Sequence, residues 1–213
     1  MSGYGSRPCY AELVAILAVG LGHIVLELSF SGTEATIYNV TVSLAFLGYL
    51  GWRLHKTQGV LRIWGFRGDN LWPALRAHLP FLGAGVLALA VFSLLTGAGG
   101  LPATFWLTVV LYPVWGIAQQ FALQNLIANN LAGPLQTPIS IAAAAALLFA
   151  ASHYPRMELV VLTFVAGIFF TLAYRRHPNI WVVGTAHGLL GSMAFYVVLG
   201  EDPGGLIIHA LTR

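Results

Sequence analysis

Apolar stretches follow one another along this chain at 11–30, 35–52, 79–97, 101–128, 137–152, 158–174 and 179–199, and most approach the length a helix needs to cross a bilayer. A backbone in hydrocarbon must satisfy its own hydrogen bonds, so runs of this length admit helices and little else. The composition agrees: 58% of the 213 residues are hydrophobic and only 8% charged. The expected fold is therefore an all-α polytopic transmembrane helix bundle of about seven spans. An eighth arises if 101–130 is split or 204–212 turns back into the membrane.

The ten basic residues predict the orientation. With a cytoplasmic N-terminus, Arg7, Arg53, Lys56, Arg62, Arg67, Arg76, Arg175 and Arg176 share the cytoplasmic side and only Arg156 and Arg213 lie opposite. The net charge of +3 then reports topology and contact with anionic lipid; no nucleic-acid motif is present. The lone Cys9 excludes a disulfide framework or a thiolate cluster. The first span reads as a retained helix, because no small-residue cleavage pattern follows it. No repeat or long linker divides residues 1–213, which read as one domain. The one sizeable polar segment, 52–78, mixes basic residues with Trp52, Trp64, Phe66 and Trp72, as expected of a cytoplasmic loop or an amphipathic piece at headgroup level.

Ionisable and amide side chains inside spans are rare and become functional candidates. The first span carries His23 and Glu27, four residues apart on one helix face. The fourth carries "QQFALQN", with Gln119, Gln120, Gln124 and Asn125; the fifth ends on His153 and the seventh contains His187. Each also has a plain structural reading. Amides bind spans together, His153 before Tyr154-Pro155 suits a span end, and His23 and Glu27 satisfy one another. Taken together, two imidazoles and two adjacent amides on three spans suggest one polar pocket offering a base and donors for a developing oxyanion.

Three motifs in this order resemble the CPBP family (CAAX proteases and bacteriocin-processing enzymes), also called the Abi family of glutamic-type intramembrane proteases. That family is recognised by E-E-x-x-x-R, then F-x-x-x-H, then H-x-x-x-N or a similar polar ending. The corresponding positions are Gln119-Gln120-x-x-x-Gln124, Phe149-x-x-x-His153 and His187-x-x-x-Gly191. The flanking "AGIFFTLAYRRHPNIWVVGTAHGLLG" and "RIWGFRGDNLWPALRAHLPFLGAG" are similar to family stretches as well, so the resemblance covers about 60–213.

By position, the resemblance implies that Gln119 replaces the glutamate that activates water, Gln120 the second glutamate and Gln124 its arginine partner. His153 and His187 become the pocket histidines, and Gly191 stands where an amide or carboxylate usually helps form the oxyanion site. A carboxamide cannot take the proton a carboxylate takes, and loss of Glu and Arg together replaces an ionic network by an uncharged one. Three functions remain open: a peptidase whose base is His153, His187 or Glu27; a pseudoprotease binding a membrane peptide or prenylated tail without cutting it; and an enzyme acting on an apolar lipid or isoprenoid. No cofactor is expected, and a metal on two histidines and Glu27 is the less favoured option. The expected partners are membrane lipids and a membrane-embedded substrate, and the expected location is a bacterial plasma membrane.

Overall fold

The computed structural model describes residues 8–29, 33–98 and 100–212, apart from the side chain of Glu27, and contains helices and no strand among them. The elements are α1 (Tyr10–Ser29), α2 (Thr33–Lys56), α3 (Val60–Ile63), α4 (Leu71–Thr96), α5 (Thr104–Phe121), a π-helix (Ala122–Ala128), α6 (Asn129–Leu131), α7 (Pro138–Ala151), α8 (Met157–Arg176), α9 (Ile180–Val197) and α10 (Pro203–Leu211). Four described helical stretches are long and apolar enough to cross a membrane: Leu71–Thr96, Thr104–Leu131, Met157–Arg176 and Ile180–Val197. Tyr10–Leu26 and Pro138–Ala151 are shorter apolar helices. Outward-facing Leu87, Leu94, Leu95, Trp106, Val110 and Val114 are exposed, as a lipid-facing surface requires.

One boundary differs from the sequence reading. The polar segment 52–78 is not one loop or surface piece: α2 runs to Lys56, α3 forms a short turn, and α4 already begins at Leu71. Arg76 disguises that start. Its guanidinium stacks on Trp72, 4.7 Å from the ring centroid, so a cation rides at the head of an apolar helix. Residues 104–131 form one stretch, as the seven-span reading expects, so the alternative split does not occur. The helix passes from α5 into the π-helix and on through α6, so one continuous element carries all four amides.

Small residues hold α5 against α9. A Cβ on Gly188 would stand 2.5 Å from Pro113 Cα, and one on Gly116 would stand 2.8 Å from the Gly188 nitrogen. Only hydrogen at these positions lets the two backbones approach so closely, the usual device where hydrocarbon gives no hydrophobic drive to helix association. One end of the bundle is closed by the 64–70 connection. Asn179 caps α9 at Val182 N and donates to Arg67 O (2.8 Å) and Asn70 Oδ1 (2.9 Å). Beside it Ile180 N donates to Gly65 O, and Tyr174 Oη donates to Trp64 O. Trp64, Phe121, Phe170, Tyr174, Ile180 and Val183 form the buried core at this end, and Leu123, Ile127, Ile141 and Phe149 form another between the π-helix and α7.

Candidate active site

The α5–α9 contact brings Gln120 to His187, with Gln120 Nε2 2.9 Å from His187 Nδ1. One turn on, Gln124 Nε2 donates to Gln120 Oε1 at 2.9 Å and to Thr171 Oγ1 of α8 at 3.3 Å. Gln120 and Thr171 are fully buried, Gln124 is 3% exposed and His187 8%. The amides flagged in the sequence are thus a hydrogen-bonded chain tying three helices together, and its free end is the imidazole. Asn125 turns elsewhere, its Nδ2 donating to Trp64 O at 3.4 Å.

The direction of each bond follows from the groups themselves. Gln124 Nε2 can only donate, so Gln120 must offer it oxygen, which leaves the Gln120 nitrogen to donate to His187. His187 Nδ1 accepts, and its proton therefore sits on Nε2. His153 is set the opposite way. Its Nδ1 lies 3.0 Å from Phe149 O, and a carbonyl can only accept, so Nδ1 carries the proton and Nε2 keeps its lone pair. The Phe149 ring stands edge-on between the two imidazoles, at centroid distances of 5.0 Å from His153 and 6.0 Å from His187.

Both histidines face one cavity of about 1700 Å³, with Gln119, Phe149, Gly191 and His23 also in its wall. Gln119 and Gln120 therefore part company: the first faces the cavity, while the second is buried behind His187. Gly191 lies under Tyr112; a Cβ there would stand 2.9 Å from the ring, so the aromatic fills the space a larger side chain would need. His23 lines the cavity wall, and the side chain of Glu27 lies outside the described residues. Among the described residues no three of His, Cys, Asp and Glu are grouped to hold a metal ion.

Sequence reasoning passed over two features. Glu12, only 10% exposed, is the described carboxylate at the cavity's other end; it pairs with Arg53 (2.8 Å), accepts from Tyr49 Oη (2.7 Å) and accepts from Asn130 Nδ2 (3.2 Å). The signal available was a charge at the start of one apolar run and its opposite at the end of the next. His78, assigned to the polar segment, is buried in α4 with Nδ1 donating to Ala74 O (2.8 Å) and its ring 6.0 Å from Phe170.

Charge outside the spans is tied down at both ends. The Arg67 guanidinium bonded to Asp69, with Arg62 nearby, pulls that exposed carboxyl down to about 2. At the opposite end Tyr196 and the Gly205 nitrogen, both donating to Asp202, hold its carboxyl below the usual range. Arg156 meets Glu201 at 2.7 Å, joining the 153–156 turn that carries His153 to the α9–α10 connection.

Residues 101–193 match the family model described as type II CAAX prenyl endopeptidase Rce1-like. That segment holds the three motif stations and both histidines. No curated protein and no solved structure matches the chain.

Proposed function

We propose that this integral membrane protein, whose residues 101–193 match the Rce1-like family model, is an intramembrane peptidase homologue that works without the carboxylate of the CPBP motif. The observation that carries this reading is the opposed setting of the two cavity imidazoles: a lone pair on His153 Nε2 and a proton on His187 Nε2. In this reading His153 takes a proton from water as its oxygen bonds to the scissile carbonyl carbon. His187 donates to the oxygen on which charge develops. The His153 proton then passes to the leaving nitrogen as the C–N bond breaks. Gln119 orients water or substrate from the cavity wall, while Gln120 and Gln124 hold His187 in its donor tautomer.

The substrate class is a membrane-embedded peptide or prenylated tail, which suits a wide, largely apolar cavity. Arg53 pairs with Glu12 at the start of α1, Arg62 and Arg67 meet Asp69 in the 64–70 connection, and Arg175 lies with Ile63 at the end of α8, an arrangement that supports a cytoplasmic N-terminus and seven spans, α1, α2, α4, α5 to α6, α7, α8 and α9. The carboxamides at both glutamate stations favour a second reading, a pseudoprotease that holds the same substrates uncut.

Reconstituted protein and a prenylated membrane peptide, followed by mass spectrometry, separate the two. His153→Ala should slow cleavage by about 10²–10⁴-fold and His187→Ala by about 10²–10³-fold. Wild-type cleavage rates in His153→Ala would refute the base assignment. Tight binding by a wild-type protein that never cuts would establish the pseudoprotease.

A further inference from the structure

The amide chain ends on an unmatched atom. Gln124 turns its nitrogen inward to Gln120 and Thr171, while its Oε1 is buried with no donor among the described residues. A buried amide oxygen left without a donor costs about 1–3 kcal/mol, so such atoms normally meet a partner. Gln124 also lines a recess of about 20 Å³, with Asn125, Ala128, Asn129 and Arg175 among its other walls. It shares no lining residue with the large cavity. Its volume admits one water, and its polar wall offers that water further bonds.

The π-helix supplies Gln124, Asn125 and Ala128 to the wall of this recess. Bonding from i to i+5 widens the turn over Ala122–Ala128 and sets Gln124 and Asn125 side by side at the wall, where half-buried Asn129 and Arg175 lead outward.

We infer that this recess is a water-binding site, that its water donates to Gln124 Oε1, and that Gln124 so anchored is a positioning residue fixing the tautomer of His187. The site is then wetted from the basic end of the bundle, independently of the apolar cavity. The chain of bonds runs from water to Gln124 Oε1, from Gln124 Nε2 to Gln120 Oε1, and from Gln120 Nε2 to His187 Nδ1. With its oxygen held by water, Gln124 cannot turn over, and neither can the amide that His187 reads. This inference rests on the reading above for the role of His187, but its evidence is separate.

The test is NMR on the 15N-labelled protein, residues 1–213, in lipid nanodiscs. Magnetisation transferred from water should reach the Gln124 side-chain amide in the wild type, and the 15N shifts should report His187 unprotonated at Nδ1. Ala128→Leu, which fills the recess, should abolish the transfer. Gln124→Met, which removes the anchor, should turn the single His187 tautomer into a mixture. No transfer to Gln124 in the wild type overturns the water site, as does transfer undiminished in folded Ala128→Leu. A single unchanged tautomer in Gln124→Met overturns the positioning role. Should Ala128→Leu fail to fold, the wild-type transfer and the Gln124→Met spectrum still decide. Failure of peptide cleavage with both signals intact counts against the peptidase reading alone.

Discussion

Replacing Gln120 by Leu keeps the side chain's approximate volume and removes both bonds that pass through it, each 2.9 Å long. Gln124 Nε2 retains Thr171 Oγ1 at 3.3 Å, so one partner is partly covered, but His187 Nδ1 is left without a donor. Hydrogen bonds between membrane helices average about 0.6 kcal/mol each, and only the bond to His187 joins two helices, which sets a floor near 0.6 kcal/mol. Two orphaned buried groups at about 1–3 kcal/mol each set a ceiling near 6. With one group partly covered, and with Leu sparing the desolvation of Gln120, the expected loss is about 2–4 kcal/mol. Equilibrium unfolding in mixed micelles measures it, and a double-mutant cycle with His187→Phe isolates the coupling, expected at about 1–2 kcal/mol. A variant within 0.5 kcal/mol of wild type, roughly the limit within which independent sites add, together with strict additivity in the cycle, would refute a chain of bonds through Gln120.

Further outcomes follow from the same geometry. Gly188→Ala sets a Cβ against the backbone of Pro113, which cannot swing aside, and should cost about 1–3 kcal/mol, seen as a lowered thermal midpoint. Gln119→Glu sets a carboxylate in the cavity wall at the position that resembles the first glutamate of the CPBP motif; on the proposed peptidase reading a gain of about tenfold or more in peptide cleavage is expected, and no gain would remove Gln119 from the reaction. The Asp69 carboxyl is depressed in the folded chain, so its contribution is complete above its ordinary range near 4 and is lost as pH falls towards about 2. Hydrogen exchange in the 64–70 connection should accelerate across that window, and Asp69→Asn should flatten the dependence. Asp202, lowered by Tyr196 and Gly205, should give the α10 N-terminus a dependence of the same sign.

Much of the fold was legible because hydrocarbon imposes a length and a hydrogen-bonding rule on every crossing segment, and apolar runs display both. The boundary at Leu71 was hidden because Arg76 and His78 look like loop residues until Trp72 takes the cation and the bundle buries the imidazole. The cavity histidines were legible as ionisable groups in apolar context. The unlike fates of Gln119 and Gln120 were not: successive helical residues point about 100° apart, and which one meets His187 depends on where α9 docks. Nor could the pairing of Glu12 with Arg53, contributed by different helices, be read from either run alone.

The sequence by itself determined that this chain is a helical membrane protein and which few polar side chains it commits to the apolar interior, because burying each carries a cost that chance does not sustain. Only the tertiary structure decided what those side chains are. Contacts among α5, α8 and α9 made two glutamines and a threonine into the frame of one histidine, while the last turn of α7 gave the other its opposite proton setting. Hydrogen-bond direction is a property of neighbours in space, and it is that direction which sets the two imidazoles in opposite senses.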